Sequence, residues 1–501
     1  MVSQLKTGAV LSYLSIFLTN IVGVVLTPFI IKSLGDAEYG LYSLIGAFVG
    51  YISVLDLGLN GTIVRFVAKY RAENSQKAEE NFLAITMLIY GVISLLIALV
   101  GIGLYFNLHH IFSNSLSPAE MAKAKVMFAV LIFNLVITLP GGAFSAICAG
   151  YEQFVYPRVV SMLRYLVRTV LVVVLLLNGG EAIGLIAIDT VLNILFITLN
   201  GWYVLKKLNV KFKLRQLDIF LVKEIFAYSI WVFVFALVLE LQWRGGQVIL
   251  GIKTDTTTVA IYSVGVMLGT YYAGFAGAIN GVFLPKAMQM VVNGFNGIQL
   301  TDMMIKIGRI ALMVLLLILG GFILFGQEFI YLWIGDTYKD AWLMALLIML
   351  TSTNILVQSF ADSLLRAKSL FRFKGLVYIF LFVVGTVIGY FFINRWKGLG
   401  MLMGICTCWF IAQMILNVYF VKKLNLQIVR FYKELLSKSV FVFTVTLIVG
   451  YAINFIFPGF QWVTLSIKIM TYTIIYFLAM YHLVANNYEK DLVRNAFRIY
   501  A

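Results

Sequence analysis

The chain has 501 residues, 62% of them hydrophobic and only 12% charged, with a formal net charge of +16 and a mean hydropathy of +0.96. A soluble domain is roughly half apolar and a quarter charged, so this composition excludes one and points to an integral membrane protein. The basic residues lie scattered between apolar runs, with no soluble region to carry a recognition surface, so no nucleic-acid partner is expected.

The first apolar run, residues 9–31, contains no Asp, Glu, Lys or Arg and exceeds the roughly 20 residues that a helix needs to cross the hydrocarbon core. No small-residue cleavage site follows it, so it is expected to stay as an anchor. Pro28 lies inside it and is a candidate hinge, because proline cannot donate the helical hydrogen bond. Further spans are predicted near 41–64, 82–106, 124–148, 158–178, 182–205, 225–250, 256–285, 310–333, 341–361, 375–394, 398–421, 439–467 and 469–488, which makes fourteen. Runs apolar on every side suit helices rather than the short alternating strands of a membrane barrel. The expected fold is therefore an all-α integral membrane protein of about fourteen transmembrane helices. With the N-terminus in the cytosol, 27 of the 38 Lys and Arg fall in cytosolic loops and 7 outside. The positive-inside rule then predicts that both termini are cytosolic.

A charge at membrane depth costs a few kcal/mol even on lenient scales, so each one is a functional candidate. Asp56 lies in the second span, and Pro140, in "LPGG", is a second candidate hinge in the fourth. The fifth span opens with "YPRVVSMLRYLVR", carrying Arg158, Arg164 and Arg168. Arg164 and Arg168 are one turn apart on one face, and Arg168 lies on the order of 15 Å deeper than Arg158. Guanidinium forks stay charged in low dielectric and donate paired hydrogen bonds to phosphate; the competing reading is that the arginines snorkel to headgroups. Asp189 lies in the sixth span, Glu240 and Arg244 sit four apart in "ELQWRGG" of the seventh, and Asp362 lies near the inner end of the tenth. A carboxylate in a cavity can bind Na⁺ or exchange H⁺, which makes Asp56, Asp189, Glu240 and Asp362 candidates for ion coupling. A polar niche or a helix end explains each of them as well.

Three cysteines, Cys148, Cys406 and Cys408, lie in or beside apolar runs and support neither a disulfide frame nor a metal site. There is no Gly-Lys dipeptide, hence no P-loop, and the inner loops are too short for a catalytic domain, so an enzyme is not expected.

The stretch "YVLKKLNV" (203–210) returns 216 residues later as "YFVKKLNL" (419–426), with seven identities between 178–210 and 394–426. Each copy ends an apolar span at the cytosolic side, so six spans separate equivalent points and the copies share one orientation. Parallel repeats of this kind are a transporter arrangement. The expected domains are a six-helix bundle over 1–221, a second over 222–436, and two additional helices with a cytosolic tail over 437–501.

The stretches "SLGDAEYGLYSL" (33–44), "LDLGLNGTIVRFVAKY" (55–70), "AGYEQFVYPRVV" (149–160), "GVFLPK" (281–286) and "WIGDTYKDAW" (333–342) resemble the polysaccharide-transporter branch of the multidrug/oligosaccharidyl-lipid/polysaccharide exporter superfamily. The resemblance implies a flippase of the bacterial inner membrane that carries undecaprenyl-pyrophosphate-linked oligosaccharides outward for O-antigen (lipopolysaccharide), capsule or exopolysaccharide assembly. It further implies a cationic central cavity, alternating access and an ion gradient, with membrane lipids and glycan polymerase machinery as further partners. It places Arg158 in a family motif, whereas Arg164, Arg168 and Arg244 rest on the physical argument. Rival readings are a lipid II flippase, a multidrug cation antiporter of the same superfamily, and, in another class, a membrane glycan polymerase or ligase.

Overall fold

The computed structural model describes residues 2–53, 58–113, 115–280, 284–368 and 370–498. Every regular element among them is helical. The chain divides into two compact units, 1–260 and 261–501. The boundary expected at 221 follows the sequence repeat, whereas compactness also groups the next helix with the first unit.

The first unit contains α1 (Val2–Leu34), α2 (Asp36–Ser53), α3 (Leu59–Ala72), α4 (Gln76–Phe112), α5 (Pro118–Gly150), α6 (Val155–Leu177), α7 (Ala182–Trp202) and α8 (Ile219–Lys253). Helix α5 is its spine, packing against α2, α3, α4 and α7. Its start is fixed by a capping box, in which the Ser117 hydroxyl accepts from the Glu120 amide and the Glu120 carboxylate accepts from the Ser117 amide. Pro140 deprives the Val136 carbonyl of its helical donor, and the Ser94 hydroxyl of α4 donates to that carbonyl instead, at 3.0 Å. The outer face of α6 leaves Leu163, Val170 and Leu177 exposed, which suits hydrocarbon rather than water.

Helix α9 (Thr256–Asn280) starts in the first unit and enters the second, which continues with α10 (Leu284–Val292), α11 (Gly297–Ile334), α12 (Lys339–Leu356) and α13 (Ser359–Ala367). It ends with α14 (Phe371–Leu424), α15 (Ile428–Leu436), α16 (Ser439–Ile456), α17 (Trp462–Ala479) and α18 (Asn487–Arg498). The pair α12 and α13 is bent by 47°, while α14 breaks into two limbs at Lys397, whose φ is +44°. Among the described residues nine helices are long and apolar enough to cross a membrane, ten with the bent pair α12 and α13 taken as one span; α14, broken at Lys397, is one of the nine and holds the eleventh and twelfth expected spans. Helix α17 is held to α11 by a buried ion pair, Lys468 Nζ to Glu328 Oε2 at 2.7 Å. Arg309 of α11 clamps Glu489 of α18 through two hydrogen bonds of 2.7 and 3.0 Å.

The repeated motif closes in the same way in both copies, although Tyr203–Lys207 is a π-helical turn and its counterpart is α-helical. Asn209 and Asn425 adopt left-handed φ values of +54° and +53°, the conformation that stops a helix and that Asn tolerates better than most residues. One residue on, the Val210 amide reaches the Val204 carbonyl at 3.2 Å, and the Leu426 amide reaches the Phe420 carbonyl at 3.4 Å. Each end also carries an aromatic stack, Tyr156 on Tyr203 at 3.9 Å and Phe373 on Tyr419 at 4.3 Å between centroids.

Candidate functional site

The candidate site lies inside the first unit, where α2, α6, α7 and α8 bring three arginines and two carboxylates together. On α6, Arg168, Val172 and Leu176 recur at four-residue spacing, so the face that buries Val172 and Leu176 also carries Arg168 inward. On α7, Ile186, Asp189 and Asn193 share one face, with Ile186 and Asn193 buried. The Arg168 guanidinium meets the Asp189 carboxylate through both ends of its fork, Nε to Oδ1 at 2.5 Å and Nη2 to Oδ2 at 3.0 Å. Both side chains are largely buried, with exposures of 20% and 26%. At 1.5 Å per residue, Arg168 lies about 14 Å from the far end of its helix, well inside a bilayer's thickness.

Helix α2 supplies the wall. Tyr42 OH accepts a long hydrogen bond of 3.4 Å from Arg168 Nη2. One turn on, the Gly46 carbonyl accepts from Arg244 Nη1 at 3.2 Å. Arg244 also pairs with Glu240 along α8, Nε to Oε2 at 2.8 Å. A further turn on, a Cβ at Gly50 would stand 2.5 Å from Arg244 Cδ and 2.8 Å from Glu240 Oε2, so a side chain there would displace this ion pair from α2. Tyr42, Gly46 and Gly50 therefore form one stripe that receives both arginines.

Arg164 stands over the Phe196 ring of α7, 5.3 Å from its centroid, and among the described residues it meets no carboxylate within ion-pair distance. The cluster of Arg164, Arg168 and Arg244 against Asp189 and Glu240 thus carries one surplus positive charge. Arg158, at the start of α6, is exposed and stands apart from this cluster.

The remaining candidates fall elsewhere. Asp56 lies outside the described residues. Asp362, in the second unit, receives Lys374 Nζ at 2.5 Å. Lys374 was expected in a loop and is instead buried on α14, because the helix begins several residues before its apolar stretch. Beside it, Tyr378 OH donates to Gln413, which bonds to Gln358; Gln358 in turn bonds to the Tyr432 hydroxyl, which donates to Asn354 at 2.5 Å. This polar chain ties the bend between α12 and α13 to α14 and α15. Pro28 lies within α1, next to Thr27, whose hydroxyl donates to the Gly23 carbonyl at 2.7 Å.

The sequence reading missed Tyr42, Gly46, Gly50, Phe196 and Lys374. The first three were signalled by their four-residue spacing in "YSLIGAFVG", which reads as an ordinary apolar run until a charge is found facing it.

A family profile described as "polysaccharide biosynthesis protein" matches residues 5–291. The chain is 24% identical over 342 residues to the "uncharacterized membrane protein EpsK" of Bacillus subtilis (strain 168). That match covers 65% of this chain and 64% of the relative, so the chain spans just under two thirds of the relative's length. Among solved structures, the lipid II flippase MurJ in an inward closed conformation is similar with a TM-score of 0.74 at 14% identity, covering 97% of this chain and 100% of that one. An inward-facing multidrug resistance MATE family transporter of the MOP superfamily is similar with a TM-score of 0.59 at 14% identity, covering 81% and 98%. At that identity the likeness is one of fold.

Proposed function

We propose, from the premise that the chain belongs to the polysaccharide biosynthesis protein family, that it is a flippase for undecaprenyl-pyrophosphate-linked oligosaccharide repeat units. In this reading it works in the bacterial inner membrane by alternating access, with both termini cytosolic, and serves O-antigen, capsule or exopolysaccharide synthesis. The six-helix repeats 1–221 and 222–436 would be the moving bodies and 437–501 an appendix held to the second.

The observation that carries the reading is the surplus positive charge inside the first unit, where Arg164, with no carboxylate in ion-pair distance among the described residues, stands beside the paired Arg168 and Arg244. A pyrophosphate head needs both charge and bidentate donors, and guanidinium supplies both. The head would be taken at Arg164 and Arg168, with Arg244 behind them and Arg158 meeting it first at the cytosolic face. The lipid tail would remain in the bilayer, along apolar surfaces such as the exposed face of α6. The driving gradient would be one of Na⁺ or H⁺ acting at Asp56, Asp189, Glu240 or Asp362, with no other cofactor.

A cation antiporter would favour a surplus of carboxylate, the opposite of what these side chains carry. The second reading is a lipid II flippase, favoured by the extent of the fold likeness; its substrate has the same pyrophosphate chemistry. The test is transfer of a labelled undecaprenyl-pyrophosphate oligosaccharide between the leaflets of proteoliposomes, with lipid II and an organic cation run in parallel. Transfer of the oligosaccharide that needs the protein and fails in Arg168→Ala and Arg244→Ala supports the proposal. Transfer of lipid II alone selects the second reading, and export of the cation alone rejects both.

A further inference from the structure

We infer that Asp189 is a resident stand-in for the substrate's phosphate, which masks Arg168 until a stronger bidentate anion, or a proton on Asp189, releases it. The inference rests on the phosphate-lipid reading and adds a built-in competitor to it.

The geometry is that of an occupied anion site. Arg168 presents its Nε–Nη2 edge to two oxygens of one carboxylate, the same fork that a phosphate would take. The same Nη2 is also within 3.4 Å of the Tyr42 hydroxyl. A phosphate can therefore take the Nε–Nη2 fork of Arg168 only by displacing Asp189. Arg164 lies one turn away on the same face and, among the described residues, meets no carboxylate within ion-pair distance, so it gives an incoming anion a first hold.

The consequence follows from linkage. An anion that binds only the unmasked fraction of a site has its affinity reduced by that fraction. An ionised Asp189 without Arg168 is a lone charge at membrane depth, which is costly, so displacement favours its protonation. The proton comes from solution and ends on the Asp189 carboxyl, while the guanidinium passes from carboxylate to phosphate. Anion affinity then rises as the pH falls.

The groups around Asp189 bear on the test. Arg168, Arg164 and Tyr165 face it from α6, and Tyr42 faces it from α2. Arg244 of α8, which donates to the Gly46 carbonyl one turn from Tyr42, carries Glu240 beside it. On the far sides, α1 contributes the Thr19 carbonyl, which accepts from Tyr165 OH at 3.1 Å, and α5 contributes Asn134 and Thr138, which hold Asn193. Of these only Asp189 and Glu240 are carboxylates, so Glu240→Gln separates their contributions.

The experiment is binding of inorganic pyrophosphate and of sulfate to the purified full chain in detergent, from pH 5 to pH 8, by calorimetry. Sulfate keeps a constant charge over that range, so its pH response reports the protein. We expect sulfate affinity to rise toward low pH in the wild type and in Glu240→Gln. In Asp189→Asn it should be about tenfold tighter at pH 8 and flat with pH. Asp189→Glu, which restores a competitor and guards against a folding defect in the Asn variant, should restore the slope. Binding that requires Arg168 but is equal in wild type and Asp189→Asn overturns the masking while leaving the phosphate site standing. Binding of either anion that is unchanged in Arg168→Ala, or no binding in any variant, overturns the phosphate site and the masking with it.

Discussion

In the hairpin formed by α6 and α7, the helices are joined at mid-depth by Arg168 and Asp189. At the equivalent level of the two limbs of α14, 216 residues on, Val384 and Ile405 stand in those places, and glycine brings the limbs into backbone contact. A Cβ on Gly385 would lie 2.8 Å from the Gly404 carbonyl, and one on Gly404 would lie 2.3 Å from the Gly385 carbonyl. Yet the two hairpins end alike, with the same left-handed Asn, the same backbone closure and the same aromatic stack. The ends answer to a demand that both copies meet, stopping a helix where Lys-Lys reaches the membrane face. The middles answer to different demands, charge in one and close approach in the other. The two hairpins thus share their ends and differ in their middles.

The strongest way to break the comparison is to remove one partner of the charged middle. Arg168→Ala leaves Asp189 uncompensated, which should cost about 3–5 kcal/mol, read as a lower unfolding temperature in detergent, together with at least a tenfold loss of substrate transfer. Giving the first hairpin the residues of the second, with Arg168→Val and Asp189→Ile together, should recover most of the stability and none of the transfer. A buried pair outside both hairpins provides the contrast. Lys468→Met strands Glu328 at a similar cost, again about 3–5 kcal/mol, but Lys468→Met with Glu328→Met should restore both stability and transfer, because this pair anchors α17 rather than holding substrate.

Smaller changes sharpen the difference. Gly404→Leu should cost about 1–3 kcal/mol by forcing the limbs of α14 apart, with transfer per folded molecule retained. Asn209→Ala and Asn425→Ala should each cost about 1 kcal/mol, since alanine tolerates the left-handed conformation less well than asparagine. Near-equal losses in thermal unfolding would mark the two ends as equivalent; a loss at only one would separate them.

Much of this was legible in the chain, because span length, the Lys-Lys stops and the 216-residue offset are local properties of sequence. Arg168 and Asp189 could each be singled out as a charge where charge is expensive. Their union could not, since it depends on how α6 and α7 are rotated about their own axes, and 21 positions of separation do not encode that. The glycine stripe of α2 was hidden for a related reason, for Gly50 matters only because Arg244 and Glu240 lie against it. Lys374 was misplaced because hydropathy marks where a span becomes apolar, while the helix itself starts earlier and carries the lysine inward to Asp362.

The most direct test of a substrate site confined to the first hairpin is photocrosslinking. An undecaprenyl-pyrophosphate oligosaccharide with a photoreactive group beside the phosphates would be bound to the protein in proteoliposomes, irradiated, and its adducts mapped by peptide mass spectrometry. Adducts on α6, α7 and α2 around Arg164, Arg168 and Tyr42, lost on competition with unlabelled substrate, are the predicted result. Competable adducts confined to the limbs of α14, with none in the first hairpin, would contradict it.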